Sequence, residues 1–204
     1  MLMESPNLLI PTYIAILFKG GNLPSSPSNM LLFGCFLLHY IQRTLIYPMR
    51  MGTKANPMPL TVALLAFIYC SWNASIQSLY LICIHRYPAN DILNPILILG
   101  VLIFFTGFSL NIHADGVLLQ LRRKAGGYSI PEGGLFGYIS CANYGAEILE
   151  WTGFAIASRS IPAFAFAIFV FANLAPRAHH HHRWYLSKFE DYPKDRRAII
   201  PFIW

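Results

Sequence analysis

The chain has 204 residues, of which 55% are hydrophobic and only 12% are charged, and its net charge is +6. A soluble domain carries charge on about 25% of its residues, so this composition argues against a water-soluble protein and for a lipid bilayer, where charged side chains are costly. The basic residues lie between apolar segments and not on a polar domain, which argues against nucleic-acid binding.

Six apolar segments follow one another along the chain, at residues 8–18, 30–47, 60–84, 92–112, 135–157 and 161–175. A bilayer span needs roughly 17 to 25 apolar residues. The second to fifth segments meet that length, whereas the first, which contains Pro11, and the sixth are marginal. Open sheets cannot cross lipid. The prediction is therefore an all-α, polytopic transmembrane bundle of about six helices that forms one domain over residues 1–204.

Lysines and arginines are distributed unevenly between the connections. If all six segments cross the bilayer, eleven of the 15 Lys and Arg residues lie on one side and three on the other. The remaining one, Arg43, lies inside the second segment. Short loops rich in Lys and Arg stay on the cytosolic side. The C-terminal tail, which belongs to the eleven, is therefore predicted to be cytosolic.

Polar side chains inside the second segment form a first candidate set. Tyr40, Arg43 and Tyr47 lie at i, i+3 and i+7, so they share one face of a helix. A buried tyrosine can donate its proton to a ligand oxygen, and a nearby arginine can hold it in place, which predicts a substrate site. The alternative is an aromatic belt at the membrane interface.

A second set lies at the end of the fourth segment. Asn111 and Asp115 lie at i and i+4, and Arg122 follows beside a glycine-rich connection. Arginine next to such a loop suits phosphate groups. The alternative is that the basic residues only anchor the helix at the cytosolic face.

The fifth segment carries a polar stripe. Asn143, Glu147, Glu150 and Trp151 lie at i, i+4, i+7 and i+8. Carboxylates in an apolar helix are costly unless they are paired or face water. The stripe therefore indicates either a functional cavity or a structural hydrogen-bond network between helices.

A fourth set follows the sixth segment. Arg177, His181 and Tyr185 lie at i, i+4 and i+8, within a run that includes four consecutive histidines. Consecutive residues point in different directions around a helix, so the run is poor geometry for a metal site. No HExxH motif and no GxGxxG after a strand is present, so neither a metal ion nor a Rossmann site is predicted.

Several long stretches resemble, in order, the steroid 5α-reductase (3-oxo-5α-steroid 4-dehydrogenase) family. They are MESP at 3–6, HYIQRTLIYP at 39–48, NIHAD at 111–115, GGY at 126–128 with IP at 130–131, GGLFGYISCANYGAEILEW at 133–151 and RAHHHHRWYLSKFEDYPKDRRAIIPFIW at 177–204. The resemblance implies a seven-helix bundle in the endoplasmic reticulum membrane that encloses a steroid and NADPH.

The resemblance also implies a reaction and its residues. The expected reaction is NADPH-dependent reduction of the Δ4 C=C bond of 3-oxo-4-ene steroids, with Glu4 and Tyr40 holding the 3-keto oxygen as catalytic and substrate-binding residues. Arg43 is expected to belong to the same substrate site. The cofactor contacts are expected at Asn111, Asp115, Arg122, Tyr128, Asn143, Glu147, Trp151, His181, Tyr185 and Arg196.

The chain also departs from the family pattern. It begins where the family's second helix begins, so it is expected to be truncated, to keep six helices and to have its N-terminus in the cytosol. Ala114, Ala146 and Ser129 replace the serine, glycine and basic residue that the family uses. The alternatives are a trans-2-enoyl-CoA or polyprenol reductase on the same scaffold, a methyltransferase of related architecture that uses S-adenosylmethionine, and an inactive truncated protein. The HYxxRTxIYP and NIHxD motifs favour the steroid branch.

Overall fold

The computed structural model describes residues 2–51, 59–124 and 129–204. Its described residues are mostly helical and contain no strand, only a single bridge between Ile139 and Arg197. The predicted all-α class is confirmed. The chain forms two compact units: the first runs up to Ile98 and includes Ser160–Ala163, and the second comprises Leu99–Arg159 and Phe164–Trp204. A single domain over the whole chain stays a prediction.

Long apolar runs fold into helices, as the sequence predicted. The α-helices are α1 Pro6–Leu17, α2 Pro27–Ile41, α3 Tyr47–Met51, α4 Leu60–Leu79, α5 Pro95–Lys124, α6 Ala142–Ser158 and α7 Ile161–Lys188. A π-helical turn, Gln42–Ile46, joins α2 to α3, and a second one, Tyr80–Ile84, extends α4. Because α2 and α3 form one rod, the part of the chain that the structure describes contains six helical rods, the number predicted.

Four rods are long and apolar enough to cross a membrane: Pro27–Met51, Leu60–Ile84, Pro95–Arg123 and Ile161–Lys188. The chain is therefore a multi-pass membrane protein. The lengths expected for the last two apolar segments were wrong. α6 has only 17 residues, because the start of the predicted segment forms a 3₁₀ turn, Gly134–Gly137, and the backbone N–H groups of Ser140 and Cys141 then bond to the C-terminal tail. α7 instead continues past Pro176 and has 28 residues.

Asn29 ties together the first unit, in which α1 packs against α4. Ser26 caps α2, its hydroxyl accepting from the Asn29 backbone N–H at 3.3 Å. The Asn29 amide donates to the carbonyls of Leu81 and His85, both at 2.7 Å, and its oxygen accepts from the Tyr87 N–H at 3.0 Å. These bonds fix the start of α2 against the end of the α4 rod.

Glycines allow α5 and α6 to pack closely within the second unit. A Cβ atom on Gly100 would overlap the backbone of Ala157, one on Gly107 would overlap the backbone of Glu150, and one on Gly153 would overlap the backbone of α5. Close approach of this kind is how helices associate in lipid, where no hydrophobic force drives them together. The packing brings the polar stripes of α5 and α6 face to face.

Candidate functional site

Tyr40 faces the interior of the first unit. Its side chain is buried on α2, with its ring centroid 4.8 Å from that of Phe36 and 4.9 Å from that of His39. Residues of an interfacial aromatic belt face lipid and headgroups, so this orientation argues against that alternative for Tyr40. A tyrosine hydroxyl can donate one hydrogen bond, and a buried one usually takes a partner.

The π-helical turn that follows Tyr40 carries Arg43. The guanidinium carbon of Arg43 lies 5.3 Å from the centroid of the Tyr47 ring, a cation–π contact worth about 0.5–1 kcal/mol at an accessible position. The spacing at i and i+3 had suggested that Arg43 supports Tyr40. The guanidinium group contacts Tyr47, the next aromatic residue along the rod, and support of Tyr40 by Arg43 stays a prediction.

Glu4 lies in a short 3₁₀ turn, Leu2–Glu4, that packs against α4. The hydroxyl of Thr44 donates to the carbonyl oxygen of Glu4 at 3.4 Å. Thr44 is four residues after Tyr40, on the adjacent turn of the same rod. On the α4 side, the Glu4 carboxyl group is close enough to the Cys70 thiol for an electrostatic interaction. Glu4 is thus held between α4 and the rod of α2 and α3, which carries the buried Tyr40.

Sequence reasoning missed Asn7, which lies on α1 beside the Glu4 turn. Its side chain is 0% exposed, and neither its amide nitrogen nor its oxygen has a hydrogen-bond partner among the described residues. The Cys70 thiol interacts with this amide but does not satisfy it in hydrogen-bond geometry. A buried polar group without a partner costs about 1–3 kcal/mol. The only available signal was an asparagine at the second position of an apolar helix, three residues after Glu4.

In the second unit, a hydrogen bond joins two of the predicted residues. Asn111 is buried on α5, and its side-chain amide donates to the backbone carbonyl of Asn143 on α6 at 2.9 Å. Asp115, one turn further along α5, is also buried, and Glu147, one turn after Asn143, is half-buried. The structure therefore brings together two of the sets that the sequence placed on separate helices.

Two further predicted residues, Arg122 and Trp151, have different surroundings, and a third is not described. Arg122 is exposed near the end of α5, and Tyr128 lies outside the described residues. Trp151 is buried in an aromatic cluster, with its ring centroid 4.5 Å from that of Phe166 and 5.5 Å from that of Phe154. A contact between Trp151 and a cofactor stays a prediction.

Tyr192 is the point at which the predicted residues of α7 and the tail meet. The Tyr185 ring stacks on it, with centroids 5.2 Å apart and planes 14° apart. The Arg196 guanidinium carbon lies 5.2 Å from the centroid of the same ring. One turn before Tyr185 on α7, the exposed His181 lies 6.1 Å, between ring centroids, from Tyr144 on α6.

Arg196 is buried and only partly satisfied. Its Nη1 donates to the carbonyl of Pro131 at 2.9 Å, while its Nε has no hydrogen-bond partner in the part of the chain that the structure describes. An arginine fork with a free donor, already desolvated, suits a phosphate or another anionic group.

The comparisons with known proteins decide the family. The profile described as 3-oxo-5-alpha-steroid 4-dehydrogenase matches residues 56–204. The chain is 44% identical over 205 residues to steroid 5-alpha-reductase DET2 of Solanum lycopersicum, which covers 99% of this chain and 79% of that protein. It is 43% identical to 3-oxo-5-alpha-steroid 4-dehydrogenase 1 of Homo sapiens, over 100% of this chain and 78% of that protein. The chain belongs to the 3-oxo-5-alpha-steroid 4-dehydrogenase family.

Membership of the 3-oxo-5-alpha-steroid 4-dehydrogenase family confirms the resemblance that the motifs indicated. The chain is an oxidoreductase by family, which favours the reductase reading over the methyltransferase alternative. Within residues 2–51, 59–124 and 129–204, no group of three or more His, Cys, Asp or Glu is arranged to hold a metal ion. That the enzyme works without a metal stays a prediction.

Proposed function

We propose that the chain reduces the Δ4 C=C bond of 3-oxo-4-ene steroids to 5α-reduced steroids, with NADPH as the reductant. The names of its relatives support this reaction. The observation that carries the proposal is the hydrogen bond from Thr44 to the carbonyl of Glu4, because it anchors the Glu4 turn to the rod that buries Tyr40. Two side chains with hydrogen-bonding groups are thus available on neighbouring segments of the first unit.

Tyr40 is the proposed electrophilic group. Its hydroxyl donates a hydrogen bond to the 3-keto oxygen, which makes the β carbon of the enone more electrophilic. Negative charge develops on that oxygen as hydride reaches the β carbon, and a fixed donor in dry surroundings stabilises it. The enolate then takes up a proton at its α carbon, which completes the reduction. The Glu4 carboxyl group completes the clamp, with Arg43 as a further residue of the substrate site.

Asn7 adds hydrogen-bonding capacity to the same region. Its amide is buried beside the Cys70 thiol, which also interacts with Glu4, and no described residue meets hydrogen-bond geometry with it. An orphaned amide in an apolar helix is costly, and a steroid oxygen would satisfy it. We therefore include Asn7 among the residues that contact the polar end of the substrate.

The second unit is the proposed cofactor-binding part. Arg196, whose Nε has no hydrogen-bond partner among the described residues, fits an anionic phosphate. The polar stripes of α5 and α6 fit the hydroxyl and amide groups of a nucleotide. When bound, NADPH supplies the hydride. The proposed contacts are those expected from the resemblance: Asn111, Asp115, Arg122, Tyr128, Asn143, Glu147, Trp151, His181, Tyr185 and Arg196.

The proposed location is the endoplasmic reticulum membrane, with the C-terminal tail in the cytosol. The excess of basic residues on one side of the chain supports this orientation. It would also give the tail that carries Arg196 access to cytosolic NADPH.

Substitution of Tyr40 by phenylalanine tests the reaction. The variant keeps the ring packed against Phe36 and loses only the donor, so kcat is expected to fall about 10²- to 10³-fold, as for loss of one oxyanion donor. Membranes containing the protein are incubated with a labelled 4-ene-3-keto steroid, with and without NADPH. Tyr13→Phe on the exposed face of α1 is the matched control and should keep full activity.

The same assay separates the competing functions. Parallel incubations with a trans-2-enoyl-CoA and with a polyprenol test the alternative reductases on the same scaffold. Turnover of either one in place of the steroid would overturn the proposed substrate class. Equal steroid turnover by Tyr40→Phe and the unsubstituted protein would remove Tyr40 from the mechanism.

A further inference from the structure

A hydrogen-bond network of three polar side chains connects distant segments of the second unit. The Tyr192 hydroxyl donates to the Ser140 hydroxyl oxygen at 2.7 Å, and that oxygen lies 2.6 Å from Nδ1 of His182. Ser140 is 2% exposed and Tyr192 is 3% exposed, so both hydroxyl groups are removed from solvent. Ser140 precedes α6, His182 lies on α7 and Tyr192 belongs to the tail, and none of them is in the predicted site.

The Tyr192 hydroxyl is the first donor of this hydrogen-bond network. Ser140 accepts the proton of Tyr192, and its own hydrogen is assigned to Nδ1 of His182, since a neutral imidazole with its proton on Nε2 accepts at Nδ1. That assignment makes Nδ1 the acceptor and leaves the proton of a neutral His182 on Nε2. All three groups are then satisfied in a buried network, and such networks specify a single arrangement of the segments that they join.

Backbone hydrogen bonds hold the same segments together. The Ser140 N–H donates to the Arg197 carbonyl at 2.8 Å, and the Arg197 N–H donates to the Tyr138 carbonyl at 2.9 Å. The Cys141 N–H donates to the Ala198 carbonyl at 3.1 Å. The tail is thus fixed to the segment before α6 at its backbone, and the Tyr192 hydroxyl adds the side-chain connection to α7.

Two of the proposed cofactor residues depend on the position of the Tyr192 ring. The Tyr185 ring stacks on it with centroids 5.2 Å apart. The Arg196 guanidinium carbon also lies 5.2 Å from its centroid. An arginine that is already held loses less conformational freedom when it binds an anion. If the ring is free to shift, both side chains lose the surface against which they are held.

We propose that Tyr192 is a positioning residue for the cofactor, and that its hydroxyl, anchored through Ser140 to His182, fixes the ring against which Tyr185 and Arg196 are held. This inference rests on the proposed function, since it takes Tyr185 and Arg196 as contacts of NADPH. It assigns to the buried hydroxyl network a role in cofactor affinity and not in the chemical step.

The test removes single hydroxyl groups from the full chain in detergent. Tyr192→Phe deletes the donor and keeps the ring, and Ser140→Ala deletes the middle of the network by another route. Direct NADPH titration, followed by nicotinamide fluorescence, is expected to show affinity about two- to thirteenfold weaker in each variant, the range for loss of one net hydrogen bond. The KM for NADPH should rise by the same factor, while kcat and the steroid KM stay unchanged.

Two further variants sharpen the result. Tyr138→Phe changes an exposed tyrosine of the neighbouring segment and should bind NADPH as the unsubstituted protein does. The double variant Tyr192→Phe/Ser140→Ala should lose no more affinity than either single variant, because both changes break the same network.

Each possible outcome is informative. Unchanged NADPH affinity in Tyr192→Phe, with normal binding by the unsubstituted protein, would overturn the positioning role and leave the proposed function intact. A fall in kcat and in Tm that parallels the loss of affinity would reduce the network to a purely structural element and overturn the inference as well. Failure of the unsubstituted chain to bind NADPH would instead refute the cofactor of the proposed function itself.

Discussion

Substitution of Asn7 by leucine separates stability from substrate binding. The two side chains have similar shape and size, so the change mainly removes an amide that is 0% exposed and has no hydrogen-bond partner among the described residues. That amide costs about 1–3 kcal/mol when no ligand is bound. For a chain of this size, 1 kcal/mol shifts Tm by about 2–4 °C, so we expect the ligand-free Asn7→Leu variant to melt about 2–12 °C higher than the unsubstituted protein.

The same variant should bind steroid less well. Loss of one hydrogen bond to the substrate, worth about 0.5–1.5 kcal/mol, corresponds to a rise of about two- to thirteenfold in the steroid KM. The assays are thermal unfolding in detergent without ligand and steady-state turnover at saturating NADPH. A variant that is both more stable and a weaker steroid binder is the expected result.

Asn29 provides the matched control. It is also 0% exposed and lies in the same unit, but its side chain makes hydrogen bonds to the backbone at Leu81, His85 and Tyr87. Asn29→Leu leaves those groups without partners, so it should lower Tm, whereas Asn7→Leu raises it. A fall in Tm for both variants would show that the Asn7 amide is satisfied in the ligand-free protein and would refute the reasoning.

Two further predictions concern the second unit. Gly107→Ala places a methyl group into the backbone of α6 and should destabilise the protein by about 1–3 kcal/mol. Gly34→Ala is the control, because a Cβ atom there meets no atom within 4 Å, and thermal unfolding of both variants measures the difference. Arg196→Lys keeps the charge but loses the planar fork and the fixed donor to Pro131, so NADPH affinity should fall about tenfold in a direct titration. Arg183→Lys, at an exposed position, is the control, and an unchanged affinity in Arg196→Lys would exclude Arg196 from the cofactor contacts.

Apolar runs made the helices predictable, because the bilayer leaves the backbone no alternative to helical hydrogen bonding. They did not determine where each rod ends. α6 begins only at Ala142, after two glycines with positive φ, and α7 extends past Pro176 into a polar, histidine-rich stretch. Hydropathy measures the lipid-facing part of a rod and carries no information on how far a helix continues beyond it.

Helical spacing predicted which polar residues share a face of a helix. The structure brings two of these faces together where α5 packs against α6. The hydrogen bond between Asn111 and Asn143 joins two stripes that the sequence identified separately. Spacing could not identify Ser140 and Tyr192, because their hydrogen bond joins residues 52 positions apart that belong to no common helix. Contacts between a loop and a tail depend on tertiary packing, for which a period of 3.6 residues gives no signal.

Two kinds of buried polar atoms bear on the proposed reaction. Asn29 and the network of Ser140 and Tyr192 are satisfied by the protein, and both fix segments in place. Asn7 and the Nε atom of Arg196 are buried and have no hydrogen-bond partner among residues 2–51, 59–124 and 129–204, and each lies beside residues that the proposed reaction uses. An apolar environment makes an unused donor expensive, and we propose that at Asn7 and Arg196 a bound group offsets that cost. A steroid oxygen for Asn7 and a cofactor phosphate for Arg196 are the groups that the proposed reaction would supply.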